Sequence, residues 1–443
     1  TTLYNALTGR NERVGNWHGV TVESSSAENT INGVEFIFTD VPGIYSLKEY
    51  AAEEANAAKT IFGGKFDAII VVTEADKLKR GLKLVRELRS FHAPILLFIN
   101  LYGSFSRRGG RLSEKELEKS VGAKLEESLA YKKENFFETS SDEKISKAYE
   151  YAVGYADFLD NAKTEREAVK YAERYAESKG FKPYVFGETL KAGDKKYFSN
   201  RGKSFIMFKV GSEDMAQHGI KVLASHVDSP RLDIKQVPLY EDSGMAFLKT
   251  HYYGGIKKYQ WTAIPLALHG VVTLEDGKTV SVVVGEDDND PVFYINDLLP
   301  HLAREQVTKP LASAIDGETL NVLVGGYPFK DEDVKEKVKL TVLQKLNERY
   351  GMKESDFISA ELCAVPAFKA RDVGFDRALV GGYGHDDRVC SYPAMTALGE
   401  SKDTLHTVVV VLADKEEIGS EGVSGMQCEI FSDLVDFLAA SQG

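Results

Sequence analysis

Three short stretches carry side chains that could hold a metal ion and move a proton. Val408 to Ser420, VVVVLADKEEIGS, ends an apolar run at Ala413 and then sets two adjacent carboxylates, Glu416 and Glu417, before Gly419. In such a pair one carboxylate can ligate a cation while the other transfers protons. Ile220 to Pro230 ends in His226-Val-Asp228. Residues two apart on a strand share a face, so the imidazole and the carboxylate can converge, the second orienting the first. Leu379 to Ser391 runs through Gly381, Gly382 and Gly384 into Asp386 and Asp387. Each stretch alone also has a plainer reading: an acidic turn, a satisfied surface pair, a helix start capped by carboxylates.

The elements that must position these groups are legible as patterns. The valine run before Ala413 and the apolar run before His226 read as buried strands of a parallel or mixed sheet. Ligands in open α/β sheets gather beyond the carboxyl ends of strands, which is where the Glu416-Glu417 pair and the His226/Asp228 pair fall, while Asp386 and Asp387 sit near a helix start. Residues from Leu239 to about Asp372 are rich in β-branched and aromatic runs broken by Gly and Asp, and they read as a β-rich insertion. Helical spacing is expected from Lys147 to Gly180, with Ser141 as an N-cap, Tyr151, Val153, Tyr155 and Phe158 as apolar surface, and Val169, Ala172 and Ala176 on one face of a second helix. Glu126 to Ile145 reads as a polar linker. Earlier still, Val34 to Phe38, the run from Asp67 and Pro94 to Asn100 alternate with helical stretches, the pattern of a parallel sheet with crossover helices.

The bulk numbers narrow the classes of function. A chain of 443 residues is long enough for two or three domains with their own cores. A net charge of −12 disfavours nucleic acid or an anionic membrane as partner. Three cysteines, Cys363, Cys390 and Cys428, make no disulfide framework or zinc-knuckle spacing and suit a reducing compartment. No apolar run reaches the ~20 residues of a membrane helix, and no signal peptide is visible, so a cytoplasmic location is expected.

Taken together and in order, HVDSP, GHDDRVCSY and ADKEEIGS, with FLDNAKTEREAV and LPHLAREQ, resemble the M18 or aspartyl aminopeptidase family of metallopeptidases over nearly all of residues 126 to 443. The resemblance implies peptide substrates, a homo-oligomer and two divalent ions, Zn²⁺ with Co²⁺ or Mn²⁺ as substitutes. It makes His226, Asp386 and Glu417 metal ligands, with Asp386 between the two ions. Glu416 becomes the general base, Asp228 the carboxylate that orients the first-metal site, and His301 a substrate-site histidine reaching a neighbouring subunit. The family pattern places a further carboxylate and a last histidine downstream of Glu417. No histidine follows His406 before Gly443, so an incomplete ligand set is expected here.

Residues 1 to about 125 resemble a different family. GNWHGVTVE followed by DVPGIYSL is similar to the G domain of the bacterial ferrous-iron transporter FeoB. This implies GTP and Mg²⁺, with Thr1 as the P-loop hydroxyl, Thr21 as the switch threonine, Asp40 and Gly43 near the γ-phosphate, and Asn100 at the guanine. The sequence departs from the pattern at Gly103, where an aspartate would read the base, and at His18, where proline is usual. The P-loop glycines and lysine would precede Thr1.

The expected fold is therefore α/β: a P-loop GTPase-like α/β fragment over 1–125, then an α/β/α zinc-peptidase-like domain over 126–238 and 373–443, with a β-rich insertion over 239–372. Both resemblances stop short at their outer ends, so a fusion of two incomplete pieces is expected. The leading function is a metal-dependent aminopeptidase. A GTP-binding module and a non-enzymatic interaction protein are the alternatives.

Overall fold

The computed structural model describes residues 2–10, 25–41, 43–44, 55–64, 66–91, 93–100, 131 and 133–441. The chain divides into two units, Thr1–Thr139 and Ser140–Gly443.

In the first unit, helix α1 (Thr2–Thr8) precedes a hairpin of β1 (Ser25–Ile31) and β2 (Val34–Asp40). Asn32 and Gly33 close it, both at positive φ, as a two-residue turn matched to strand twist requires. Helix α2 (Ala55–Gly63) follows, then β3 (Ile69–Glu74), helix α3 (Leu78–Leu88) and β4 (Ile95–Asn100). Strands β3 and β4 are parallel, as the alternation implied. The expected single parallel sheet needs correcting on one point: β2 pairs antiparallel with β1 in a separate two-stranded sheet. The turn chemistry of Asn-Gly outweighed the spacing argument.

The second unit opens on two helices, α4 (Asp142–Asn161) and α5 (Glu165–Ser178). Ser141 caps α4, its hydroxyl accepting from Lys144 N–H at 3.4 Å. Thr164 and Glu167 form a reciprocal capping box at α5. The linker reading fails beyond residue 135, because Phe136–Thr139 is helical and α4 has already begun at Asp142. Tyr155 and Phe158 are buried as expected, whereas Tyr151 and Val153 face solvent.

A five-stranded mixed sheet follows, in the order β5 (Lys182–Pro183), β6 (Lys195–Asn200), β7 (Ser204–Lys209), β17 (Thr407–Ala413), β8 (Ile220–His226). Alternation along β17 sorts its side chains between two layers. Val410 and Leu412 pack with α4, α5 and helix α7 (His385–Glu400), through Phe158, Val169, Tyr392 and Met395. Val409 and Val411 pack on the opposite face with Phe208, Leu434 and Leu438, the last two from helix α8 (Ile430–Ser441). Both faces are thus covered by helices, the three-layer α/β/α arrangement.

Between β8 and β17 the chain builds a six-stranded antiparallel sheet. Its order is β12 (Thr279–Val284), β11 (Leu266–Thr273), β14 (Ala360–Pro366), β9 (Arg231–Asp242), β10 (Met245–Tyr253), β13 (Val322–Gly325). Helix α6 (Lys337–Tyr350) packs against it, and Leu232, Leu248, Trp261, Leu266 and Phe357 fill its core. A small ladder of β15 (Arg371–Val373) and β16 (Leu379–Gly381) returns the chain to α7. Among the described residues no helix is long and apolar enough to cross a membrane.

Candidate metal centre

Strands β8 and β17 are parallel, with His226 opposite Ala413, so both carboxyl ends open at one edge of the sheet. His226 is the last residue of β8. The chain after β17 turns sharply: Lys415 is left-handed, Glu416–Ile418 form a single turn, and Gly419 closes it at φ 94°. A side chain there would be strained, which is why glycine ends the turn.

Asp228 ties these two strand ends together. It is fully buried, and its carboxylate accepts from Glu416 N–H at 3.2 Å, Glu417 N–H at 3.1 Å and Tyr253 O–H at 2.8 Å. His226 Nδ1 lies 3.3 Å from its Oδ1 and 3.0 Å from its backbone carbonyl. Burial opposes the Asp228 charge, but hydrogen bonds from His226, Tyr253 and Glu417 outweigh it and hold the carboxyl below its usual range. One buried carboxylate therefore fixes the imidazole and the Glu-Glu turn at once.

With Nδ1 committed to Asp228, Nε2 points at acids. It lies 3.1 Å from Asp386 Oδ1 and 3.7 Å from Glu416 Oε2. One ligand atom each from His226, Glu416 and Glu417 falls within 4.8 Å of the others. Burial alone would disfavour a charged imidazole. The hydrogen bond and charge of Asp228, then the charge of Glu416, raise His226 to about 9. Burial, followed by repulsion from Asp228, Asp386 and Glu416, pushes the Glu417 carboxyl up, with His226 pulling the other way. Four carboxylates thus lie around one imidazole; Asp228, Asp386 and Glu416 pair with His226, Glu417 lies beside it, and none of the four has a lysine or arginine partner among the described residues.

This donor set fits a divalent cation. A ring nitrogen held in one orientation by its other nitrogen, with carboxylate oxygens converging on it and no cysteine, is a zinc-type arrangement. The excess negative charge is what a cation would neutralise.

Helix α7 contributes two residues that motif spacing could not reveal. Arg388 is fully buried; Nη2 donates to Val227 O at 3.0 Å and Nη1 to Ser229 Oγ at 2.7 Å. Ser229 Oγ in turn donates to Asp386 O at 3.0 Å. Ser391 Oγ lies 2.9 Å from the His226 carbonyl. The stretch after β8 and the start of α7 are therefore bound together, which places Asp386 against His226. The arginine is visible in GHDDR, but nothing in a linear pattern says that its guanidinium turns back into the core.

Other expected site residues fall elsewhere. His301 is exposed in a turn of the β-rich lobe, outside the cluster around His226. Asp40 ends β2, Asn100 ends β4, and Gly43 lies exposed beyond β2. Thr1 and Thr21 lie outside the described residues.

Two families match, over separate parts of the chain. Residues 158–442 match the aminopeptidase I zinc metalloprotease (M18) family, and residues 1–142 match ferrous iron transport protein B. A probable M18 family aminopeptidase 1 of Clostridium acetobutylicum is 50% identical over 305 residues, which are 68% of this chain and 65% of that protein. The chain thus spans just under two thirds of that relative's length. The crystal structure of an M18 aminopeptidase from Thermotoga maritima aligns with a TM-score of 0.66 at 40% identity, covering 71% of this chain and 68% of that one. For the first unit, the Fe(2+) transporter FeoB of Legionella pneumophila is 36% identical over 129 residues, 28% of this chain and 17% of that protein.

Proposed function

This chain belongs to the M18 aminopeptidase family, and from that membership we propose that its second unit is a zinc-dependent aminopeptidase module releasing amino-terminal residues from peptides. The observation that supports this reading most directly is the charge imbalance at the strand ends: Asp228, Asp386, Glu416 and Glu417 around His226, with no basic side chain pairing them among the described residues.

In this reading His226, Asp386 and Glu417 hold zinc. Zinc there supplies Lewis acidity, polarising a scissile carbonyl and easing the deprotonation of water. Glu416 takes the proton, because its carboxylate is the more exposed of the adjacent pair and is free to turn toward a substrate. It then delivers that proton to the leaving amine. Asp228 does not titrate in this scheme; it keeps Nδ1–H of His226 directed inward, so that Nε2 remains the ligating atom. His301 contacts substrate in a homo-oligomer, and the exposed Leu298, Leu299 and Leu302 around it supply apolar surface for self-association. The free thiols Cys363, Cys390 and Cys428 suit a cytoplasmic setting.

The test combines zinc analysis of the full chain with hydrolysis of a chromogenic aminoacyl anilide. Zinc should be retained in Glu416→Gln while turnover falls by about 10²–10⁴-fold, the usual contribution of a positioned general base. A parent chain that takes up no zinc, or a Glu416→Gln variant with undiminished turnover, overturns the reading.

The match of residues 1–142 to the iron-transporter family favours a second reading, a guanine-nucleotide site in the first unit. Asp40, Gly43 and Asn100 would serve it, with Thr1, Thr21 and Mg²⁺. Titration with a fluorescent GTP analogue decides it, and the absence of saturable binding removes it.

A further inference from the structure

The β-rich lobe reaches the candidate metal centre at the end of β10. Tyr253 is the last residue of that strand, and its hydroxyl donates to Asp228 Oδ2 at 2.8 Å. Its ring lies under the Arg231 guanidinium, 4.2 Å from the centroid, and Arg231 is itself paired to Glu165 and Asp233. The phenol is thus clamped from behind, so its hydroxyl has one place to go. The next residue, Gly254, turns at φ +73° directly against Glu417, where an added Cβ would meet Glu417 Cβ and Oε2, each at 3.1 Å. Two consecutive residues of the β-rich lobe therefore bear on two different groups of the centre.

We infer that Tyr253 and Gly254 form a positioning element, supplied by the β-rich lobe, that sets Asp228 and Glu417 for metal binding. The inference rests on the zinc reading above and adds residues that neither motif spacing nor family membership assigned. The physical argument is a count of restraints. Oδ1 of Asp228 faces His226 Nδ1 and Glu416 N–H, while Oδ2 faces Tyr253 O–H and Glu417 N–H. The tyrosine is the only hydroxyl among these four donors, and the shortest contact. Without it Oδ2 keeps a single donor, the carboxylate gains freedom to rotate, and both the imidazole and the Glu-Glu turn lose their common anchor. Outer partners of this kind are worth about 10–100-fold in metal affinity.

Tyr253→Phe removes one oxygen and keeps the ring that Arg231 covers, so the fold is preserved. In the full chain, zinc affinity measured by competition with a zinc-chelating dye should fall by about 10–100-fold. Its thermal midpoint should fall only modestly, because one hydrogen bond to a buried carboxylate is lost while the ring packing stays. Gly254→Ala, which strains a positive-φ position and pushes on Glu417, should also weaken zinc binding while leaving the Tyr253 hydroxyl on Asp228. Amide exchange of Glu416 and Glu417, whose N–H groups donate to Asp228, should quicken in metal-free Tyr253→Phe while β17 amides stay unchanged. A merely structural tyrosine would not move these two amides selectively. Zinc affinity equal to the parent's in Tyr253→Phe overturns the inference. If the parent itself binds no zinc, the zinc reading falls, and the amide exchange decides this one: selective quickening supports it and unchanged rates overturn it.

Discussion

His226 and His269 are the same side chain in the same predicament, and comparing them shows what separates a site from a strut. Each is buried among acidic partners, and each is raised to about 9 by them against the opposing effect of burial. His269 sits on β11 with Nδ1 2.7 Å from Glu167 and Nε2 3.0 Å from Glu286. Glu286 is also met by Lys163, which is 2% exposed and places Nζ 2.6 Å from the carboxylate and within 3.1 Å of the Pro366 and Phe368 carbonyls. Two carboxylates there face two cations, and the group is closed. At His226 four carboxylates face one cation, and Asp386 and Glu416 keep side chains 86% and 58% exposed. The first arrangement joins α5 to the β-rich sheet. The second is electrostatically unfinished and open to solvent, which is the condition for taking up a metal.

The comparison can be broken first at its site arm. His226→Ala should lower zinc affinity by more than about 100-fold, beyond what outer partners alone contribute. A dye-competition affinity within tenfold of the parent would show that the imidazole is a strut here too. The strut arm is tested by Lys163→Met, which leaves Glu286 with His269 as its remaining ion partner. Removing one member of a buried ion pair costs about 3–5 kcal/mol, read as a fall in the urea midpoint of the second unit, with zinc affinity unmoved. A loss below about 1 kcal/mol would mean that Lys163 is a passenger.

The finer test is pH. His269 is raised from 6.5 to about 9, so its share of stability is fully present below about pH 6.5 and is lost as pH climbs through about 9. Glu167 and Glu286 are lowered, so their share is present above their ordinary 4.5 and is lost as pH falls. The urea midpoint should decline between neutrality and about pH 9.5 in the parent and decline less in His269→Gln. Equal declines would assign the alkaline loss to other groups. The effect is on the order of 1–3 kcal/mol.

How much of this was legible in the sequence follows from how local each signal is. The valine run before Ala413, the apolar run before His226 and the cap at Ser141 need only neighbouring residues to be read, and all three are where the pattern put them. The three ordered motifs named His226, Asp386, Glu416 and Glu417; parallel pairing of β8 and β17 brings His226 to the two glutamates, and contacts of α7 with the stretch after β8 set Asp386 against His226. Tyr253, Ser229 and Arg388 were not legible, since their roles depend on contacts set by packing rather than spacing. The β1–β2 hairpin is a different kind of miss: the Asn32-Gly33 turn signal stands in the sequence, and the strand–helix alternation was followed without using it. Likewise the charged composition before Ser141 suggested a linker and hid the short helix Phe136–Thr139.

The donors that converge on Asp228 lie far apart in the chain, the Glu416 amide being 188 residues beyond it. Closing so long a loop is entropically slow, and parallel pairing cannot begin until both strands exist. The centre therefore cannot form in a nascent chain that has made β8 and the whole β-rich lobe but not yet β17. A growing polypeptide would pass through most of its synthesis without a cation site, and its assembly would mark the moment at which β17 has found β8.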